Sequence, residues 1–505
     1  MESRKSGILL HVTSLPSDFG IGDLGKGAYE FADFLAASRQ RIWQVLPLSP
    51  TTEFCGNSPY CSFSAFAGNP VLISPDFLLK DGYISREDLG SLPSFDPVRA
   101  DYGWAYEFKD RLLAAAYKRF SKTGDGERGG YYDFINSNAH WLEDYALFVS
   151  LKERFSGAPW DEWPPEVRDR TQGELDRWRQ ALAGQIEREK FKQFLFFSQW
   201  SALKRYCNER QITVIGDMPI YVSHDSSDVW TNPQYFKLDG DKKPALVAGV
   251  PPDYFSATGQ LWGNPVYNWD ALAKDSYAWW IRRMEHNLRH FDIVRIDHFR
   301  GFVSFWEVPA TEMTAVNGKW VEAPAREFFQ ALLDRFGSLA IIAEDLGILT
   351  PEVREVMKKF KFPGMKVLLF AFGGDTASNP YAPHNHVRNC IVYTGTHDNN
   401  TAKGWFEKDA NAEEKENLAA YFDCEFDEDD VCSQLVRTAM MSVASTAVVP
   451  MQDLLELGEE ARMNRPSIAM GNWMWRMRAD LLTTGLAERI AKMTKIYGRN
   501  MDQED

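Results

Sequence analysis

The chain has 505 residues, 44% apolar and 25% charged, which excludes a disordered protein and leaves either one large barrel with insertions or two or more domains. A net charge of −15 excludes non-specific binding to nucleic acid or to an anionic membrane. There is no CxxC pair among the six cysteines, no signal-peptide run in MESRKSGILLH and no apolar stretch of about 18 residues, so a cytoplasmic protein with reduced thiols is expected.

Residues 7–11 (GILLH) read as a first strand, and Asp23 is placed to cap a helix running to about residue 40, with Ala28, Phe31, Ala32 and Leu35 on one face. Residues 42–48 (IWQVLPL) read as a second buried strand, completing a parallel β-α-β unit. Alternation then stops. From 49 to 211 the sequence holds a turn-rich loop, 58–75, with Tyr60 at its tip, and helical patterns at 107–120, 141–155 and about 174–210. This block is read as an α-rich insertion between strands 2 and 3.

Alternation resumes at 213–220 (TVIGDMPI), a third strand with Asp217 inside it. The stretch 225–275 reads as long and irregular; loops of that length are usually functional, and it is placed over the site as a binding loop. Then come a helix at 276–290, a strand at 291–297, a helix at 325–336, a strand in AIIAEDLG (340–347), a helix opening at Thr350-Pro351, and strands at 365–372 and 390–396. Helices fill 402–441, an eighth strand covers 442–450, and a final helix is expected over 474–490. Eight strands with intervening helices predict a (β/α)8 TIM barrel with large, mainly α-helical insertions, one catalytic unit over 1–505, its chemistry at the C-terminal strand ends.

Three stretches interrupt apolar runs with charge in the same way. FDIVRIDHFRG (291–301) sets Arg295 and Asp297 two residues apart, so they face one side of a strand. AIIAEDLG ends on Glu344 and Asp345, and CIVYTGTHDNNT (390–401) ends on His397 and Asp398. Buried charge is costly unless it is paired or does chemistry, so Asp297, Glu344 and Asp398 are expected to meet in one pocket. Acids at one barrel mouth suit three tasks: holding a divalent metal, metal-assisted proton abstraction, or glycosidic cleavage. Each also has a plainer reading. Asp297 pairs with Arg295, Asp345 caps the turn after its strand, and Asp398 is a turn residue; His384 and His386 read as a loop feature rather than metal ligands.

The chain resembles the 4-α-glucanotransferases of the amylomaltase type, relatives of the α-amylase barrel enzymes. The likeness runs nearly end to end, through SGILLHVTSLPS, SPYCSFSAFAGNP, GDMPIYVSHDSSDVW, AGVPPDYFSATGQLWGNPVYNW, RIDHFRG, AEDLG, THDNNT and RMNRP…GNW. The resemblance implies Asp297 as nucleophile, Glu344 as general acid/base and Asp398 as transition-state stabiliser. It implies Arg295, Asp217, His298 and His397 around the sugar, Tyr60 lining the cleft, the 249–256 loop over bound glucan, and Trp262 and Asn464 as further contacts. It implies α-1,4-glucan (maltooligosaccharide) substrates, a monomer or homodimer, and neither metal nor organic cofactor. Two departures stand out: Asn400 where an acid is expected, and Gly373 where the family usually has Asp.

Overall fold

A computed structural model describes residues 4–124, 128–252, 256–347, 349–428, 430–466 and 468–499. Among these residues twelve strands form: β1 (Lys5–Leu9), β2 (Ile42–Gln44), β3 (Thr213–Met218), β4 (Leu246–Val250), β5 (Gln260–Pro265), β6 (Ile293–Ile296), β7 (Ser304–Pro309), β8 (Lys319–Glu322), β9 (Ile341–Ala343), β10 (Gly364–Val367), β11 (Cys390–Tyr393) and β12 (Thr446–Pro450). Eight of them make one parallel sheet in the order β10-β11-β12-β1-β2-β3-β6-β9. Its two ends meet where the Ala343 N–H donates to the Pro363 carbonyl at 3.0 Å, closing the ring. These are the eight strands expected from sequence, in the expected order. They are short runs of Ile, Val and Leu buried on both faces, as parallel strands covered by helices must be. The architecture is a (β/α)8 barrel with helical insertions.

Closure is tight at one point. Asp345, just past β9, accepts the Met365 N–H at 2.6 Å, and a Cβ at Gly364 would stand 2.4 Å from the Asp345 carboxylate. Glycine is required there for the backbone to approach. Asp345 is structural, but in another way than capping the turn after its strand: it fastens β9 to β10.

Between β2 and β3 lie the long helices Tyr102–Phe120, Gly129–Arg154 and Ala183–Glu209. They pack through aromatic rings, among them Phe120 on Phe191 at 4.4 Å between centroids. The last of these helices also holds the 58–75 loop. Gln193 exchanges two hydrogen bonds with the backbone of Gly68 (2.8 and 2.9 Å), and Gln199 does the same with Ser74 (2.7 and 3.4 Å). Each amide acts as one rung of a ladder, so helix and loop dock as a unit.

The structure departs from the sequence reading in five places. The 225–275 stretch is not bare loop, because β4 and β5 join β7 and β8 in an antiparallel sheet of order β5-β4-β7-β8. Asp23 does not cap the first helix, which spans Lys26–Ala37 behind Gly25. Its carboxylate accepts the Gly25 N–H and pairs with buried Lys109 at 2.9 Å, tying barrel to insertion. The sixth barrel strand stops at Val367 and passes into a 3-10 turn, Leu368–Phe370. The final helix is Thr484–Ile496, opened by a Thr483 side chain that accepts the Leu486 N–H at 3.1 Å. Residues expected to begin it run extended instead, with Met477 N–H bonded to Ser14 C=O at 2.8 Å. Finally, Cys55 and Cys61 are joined as a disulfide rather than held as thiols. A left-handed turn at Gly56 brings their Cα atoms to 6.1 Å, within bonding reach. Among the described residues no helix is long and apolar enough to cross a membrane.

Candidate active site

Strand register builds the first part of the site. Asp217 on β3 and Arg295 on β6 are direct partners in the parallel ladder, so their side chains leave the same face next to each other. Arg295 Nη1 donates to both Asp217 oxygens at 2.7 Å and to Asp297 Oδ1 at 3.0 Å. The spacing of two that placed Arg295 and Asp297 on one side is thereby realised as a contact. Arg295 and Asp217 are sealed in, with side chains 3% and 0% exposed, whereas Asp297 is 27% exposed and Asp398 43%. Buried charge therefore supports carboxylates that solvent, and hence a ligand, can reach.

Glu344 follows β9 directly. Its Oε2 accepts the His298 N–H at 2.6 Å and its Oε1 the Leu346 N–H at 3.0 Å. His298 offers that N–H because its backbone is left-handed, φ +49°, an uncommon state for a side-chain-bearing residue. The next turn, Phe299–Phe302, starts there, so the residue after Asp297 turns its amide toward Glu344. Burial pushes the Glu344 carboxyl up to about 7, against the pull of Arg295; Asp297 adds to the rise and the two N–H bonds oppose it.

His397 and Asp398 lie in the loop after β11. The Tyr60 hydroxyl donates to Asp217 Oδ2 at 2.9 Å and meets His397 Nε2 at 2.9 Å; the same Nε2 stands 3.3 Å from Asp398 Oδ2. Asn464 donates to Asp398 Oδ1 at 2.6 Å, and Arg462 to the Asp398 carbonyl at 3.1 Å. Burial would raise the Asp398 carboxyl, but the His397 charge and the Asn464 bond outweigh it and hold the group well below the usual carboxylate range. Burial would lower His397, and Asp398 reverses that, leaving its pKa raised. Asp217 is raised by burial, which Arg295 opposes and Asp297 reinforces.

One hydrogen-bonded chain thus runs from Asp297 through Arg295, Asp217, Tyr60, His397 and Asp398 to Asn464, and Glu344 joins it electrostatically through Arg295 and Asp297. Trp262 reaches the same place from β5, edge-on to the His298 ring at 4.8 Å. All ten candidate residues, Asp297, Glu344, Asp398, Tyr60, Asp217, Arg295, His298, His397, Trp262 and Asn464, are brought together. Of the expected 249–256 cover, residues 253–255 lie outside the described residues; Gly249 and Val250 end β4.

Sequence reasoning did not assign Trp473, whose ring lies 5.9 Å from those of both Tyr60 and His397, or Arg462. Both fall in the RMNRP…GNW stretch, where no apolar run flags them. Of the two departures, Asn400 is buried and spends its side chain on the Thr401 N–H and on Asp409, and a side chain at Gly373 would approach Glu414. His386 bonds Ser442 Oγ and the Tyr381 carbonyl, and His384 bonds the Tyr421 hydroxyl. Among the described residues no group of three or more His, Cys, Asp or Glu is arranged to hold a metal ion.

A (β/α)8 barrel with a carboxyl that stays protonated near neutrality, set beside arginine-paired acids at its C-terminal mouth, has the parts that glycosidic-bond chemistry needs. Fold and site define a glycoside-active barrel. The glycoside hydrolase 77 family model, described as 4-alpha-glucanotransferase, matches residues 10–483. The chain is 48% identical over 514 residues to the 4-alpha-glucanotransferase of Synechocystis sp., covering 100% of each, and 49% identical over 498 residues to that of Aquifex aeolicus, covering 99% of this chain and 100% of the other. Among solved structures, amylomaltase from Streptococcus agalactiae in complex with acarbose superposes with a TM-score of 0.94 at 41% identity, covering 98% of this chain and 99% of that one. The chain belongs to the 4-alpha-glucanotransferase family, transglycosylases built on the glycoside-hydrolase plan.

Proposed function

We propose that the chain transfers α-1,4-glucan segments between maltooligosaccharides by double displacement, with Asp297 as nucleophile, Glu344 as acid/base and Asp398 as stabiliser of the positive charge that develops at the anomeric carbon. The observation that carries this is Glu344: a carboxyl held half-buried at the mouth by two backbone N–H groups, close enough to Asp297 to feel its charge, with its pKa pushed up to about 7. A group so placed still carries its proton in a large share of molecules at neutral pH and has an acidic neighbour to act as the second carboxylate.

In the first half-reaction Glu344 gives its proton to the glycosidic oxygen and an Asp297 oxygen attacks the anomeric carbon. The bond to the reducing-end fragment breaks and a glucosyl ester forms. In the second, Glu344 takes the proton of an acceptor 4-hydroxyl, whose oxygen attacks the same carbon and releases Asp297. Two inversions retain the α configuration. Arg295, Asp217, Tyr60, His298, His397, Trp262 and Asn464 bind the sugar or hold the acids. Transfer prevails over hydrolysis when sugar rather than water reaches the ester, and Tyr60 and Trp262 supply aromatic surface for the acceptor. The same reading takes residues 49–211 as one insertion, 225–275 as cleft wall, and the protein as a cytoplasmic monomer or homodimer.

The test is a time course with maltotriose alone, following glucose, longer oligosaccharides and total reducing ends, with Glu344→Gln as control. Glucose and longer chains rising at constant reducing ends is the expected outcome. Reducing ends climbing in step with glucose would make the protein a hydrolase and overturn the account of the acceptor side.

A further inference from the structure

Among the buried acids that the chemistry described above does not use is Asp453. Asp453 lies in the short helix Met451–Leu454 that follows β12, is 1% exposed, and forms no part of the chain from Asp297 to Asn464. Its Oδ2 accepts the Thr394 hydroxyl and its Oδ1 accepts the Ala402 N–H at 2.7 Å. Thr394 is the first residue after β11, and Ala402 opens the short helix Ala402–Gly404. The segment between them carries His397 and Asp398.

That segment has little regular structure of its own. Within it, Asn399 Oδ1 accepts the Thr396 N–H and hydroxyl, each at 2.9 Å, and the Asp398 N–H reaches Thr396 Oγ1 at 3.3 Å. These bonds shape the loop but do not fix it to the barrel. Asn464 and Arg462 hold Asp398 from the far side. On the near side both ends of the loop converge on the Asp453 carboxylate, whose own backbone continues from a barrel strand. A cavity behind the loop, lined by His11, His397, Asn400, Asp453, Arg462 and Trp475, leaves room for the loop to shift if the tethers are cut.

We propose that Asp453 is a positioning residue for the transfer reaction, its carboxylate clamping both ends of the 394–402 loop so that His397 and Asp398 stay at the barrel mouth. This rests on the role assigned to Asp398. Two predictions of the geometry separate clamp from filler. Alanine at 453 cuts both tethers. Asparagine keeps them, because its amide oxygen accepts the Ala402 N–H while its N–H donates to a Thr394 hydroxyl turned to accept.

The experiment measures kcat and KM on maltotriose, per folded molecule as counted by circular dichroism melts. The set is Asp453→Ala, Asp453→Asn, Thr394→Val and Asp398→Asn, together with the Asp453→Ala/Asp398→Asn double variant. Displacement of a stabilising group by about 1 Å costs on the order of a hundredfold in kcat, with KM changed far less. The expected order is Asp453→Ala down about a hundredfold, Thr394→Val about tenfold, and Asp453→Asn within about threefold of the parent. In the Asp398→Asn background, Asp453→Ala should cost clearly less than the hundredfold seen alone, about tenfold or below, because one of the two groups it positions is already gone and only His397 is left to misplace.

The inference is overturned if Asp453→Ala keeps parental kcat, or if its loss is undiminished in the Asp398→Asn background. Where Asp453→Ala does not accumulate folded, the isosteric Thr394→Val carries the test, and parental kcat in that variant overturns the clamp. Parental turnover in Asp398→Asn refutes the role of Asp398 and the clamp with it. A crippled Asp398→Asn beside an unaffected Asp453→Ala refutes the clamp alone.

Discussion

Of the buried arginines, Arg295 at the mouth and Arg499 at the opposite end of the barrel are satisfied in opposite ways. Arg499, below the strands, gives its Nε to the Met440 carbonyl, Nη1 to those of Lys5 and Ala444, and Nη2 to those of Ala439 and Ser442. All five guanidinium N–H donors meet neutral carbonyls, most of them at the C-terminal end of helix Asp430–Met441, where a cation suits the helix dipole. Arg295, at the mouth, faces the carboxylates of Asp217 and Asp297. Burial lowers the pKa of Arg499 with Arg4 adding to the effect, whereas at Arg295 the acids outweigh burial and raise it well above the ordinary value. At Arg499 every donor is spent on backbone. The mouth keeps surplus negative charge, part of it open to solvent, and burying such charge is costly unless chemistry uses it.

The sharpest break of this comparison is a pair of variants. Asp297→Asn should lose about a thousandfold or more in kcat with its melting temperature nearly unchanged. Parental turnover there would refute the nucleophile. Arg499→Met should do the reverse, losing about 3 kcal/mol of stability in urea denaturation because buried carbonyls lose their partners, with kcat per folded molecule unchanged. A fall in kcat for Arg499→Met would show that the two ends are coupled.

A second test uses pH. Glu344 is needed as an acid, and its pKa is raised by burial to about 7. It carries its proton below that value and loses it above, so kcat/KM should decline above about pH 7, approaching tenfold per unit. Asp398 is held well below the usual range and stays charged through this window. A profile flat to about pH 9 would remove Glu344 as the acid.

The mouth was legible in the sequence for the same reason it is costly. Charges set into Ile- and Val-rich runs stand out against their neighbours, and β6, β9 and β11 each end on such a break. The floor was not legible. Arg499 lies in a C-terminal segment with no pattern, and its partners are brought near only by barrel closure. The β5-β4-β7-β8 sheet escaped because its central pair joins Leu246–Gly249 to Trp306–Pro309, about sixty residues apart, and β5 contains Gly and Pro that read as turn. Asp453 escaped because its partners, Thr394 and Ala402, come from another strand end. The final helix does not begin where expected: Met474, Met477 and Leu481 are spaced as a helix face would be, yet backbone bonds to Ser14 and Val98 hold that stretch extended.

The smallest expected effect sharpens the comparison most finely, because it touches neither arginine nor any of the proposed catalytic acids. Tyr60→Phe removes a single hydroxyl, the bridge between Asp217 on β3 and His397 after β11. The ring remains, so its stack on His397, 5.2 Å between centroids at 15°, and its contact with Trp473 survive. Asp217 keeps both bonds to Arg295, and His397 keeps Asp398. A hydrogen bond to a charged group contributes about 1.5–3 kcal/mol; with the other partners retained, the low end applies, or about tenfold in kcat/KM on maltotriose. If the mouth acts as one connected unit, that loss should fall mainly in kcat, since the hydroxyl aligns the acids rather than gripping ground-state sugar. A loss confined to KM would instead make Tyr60 a plain cleft wall and divide the mouth into two independent halves.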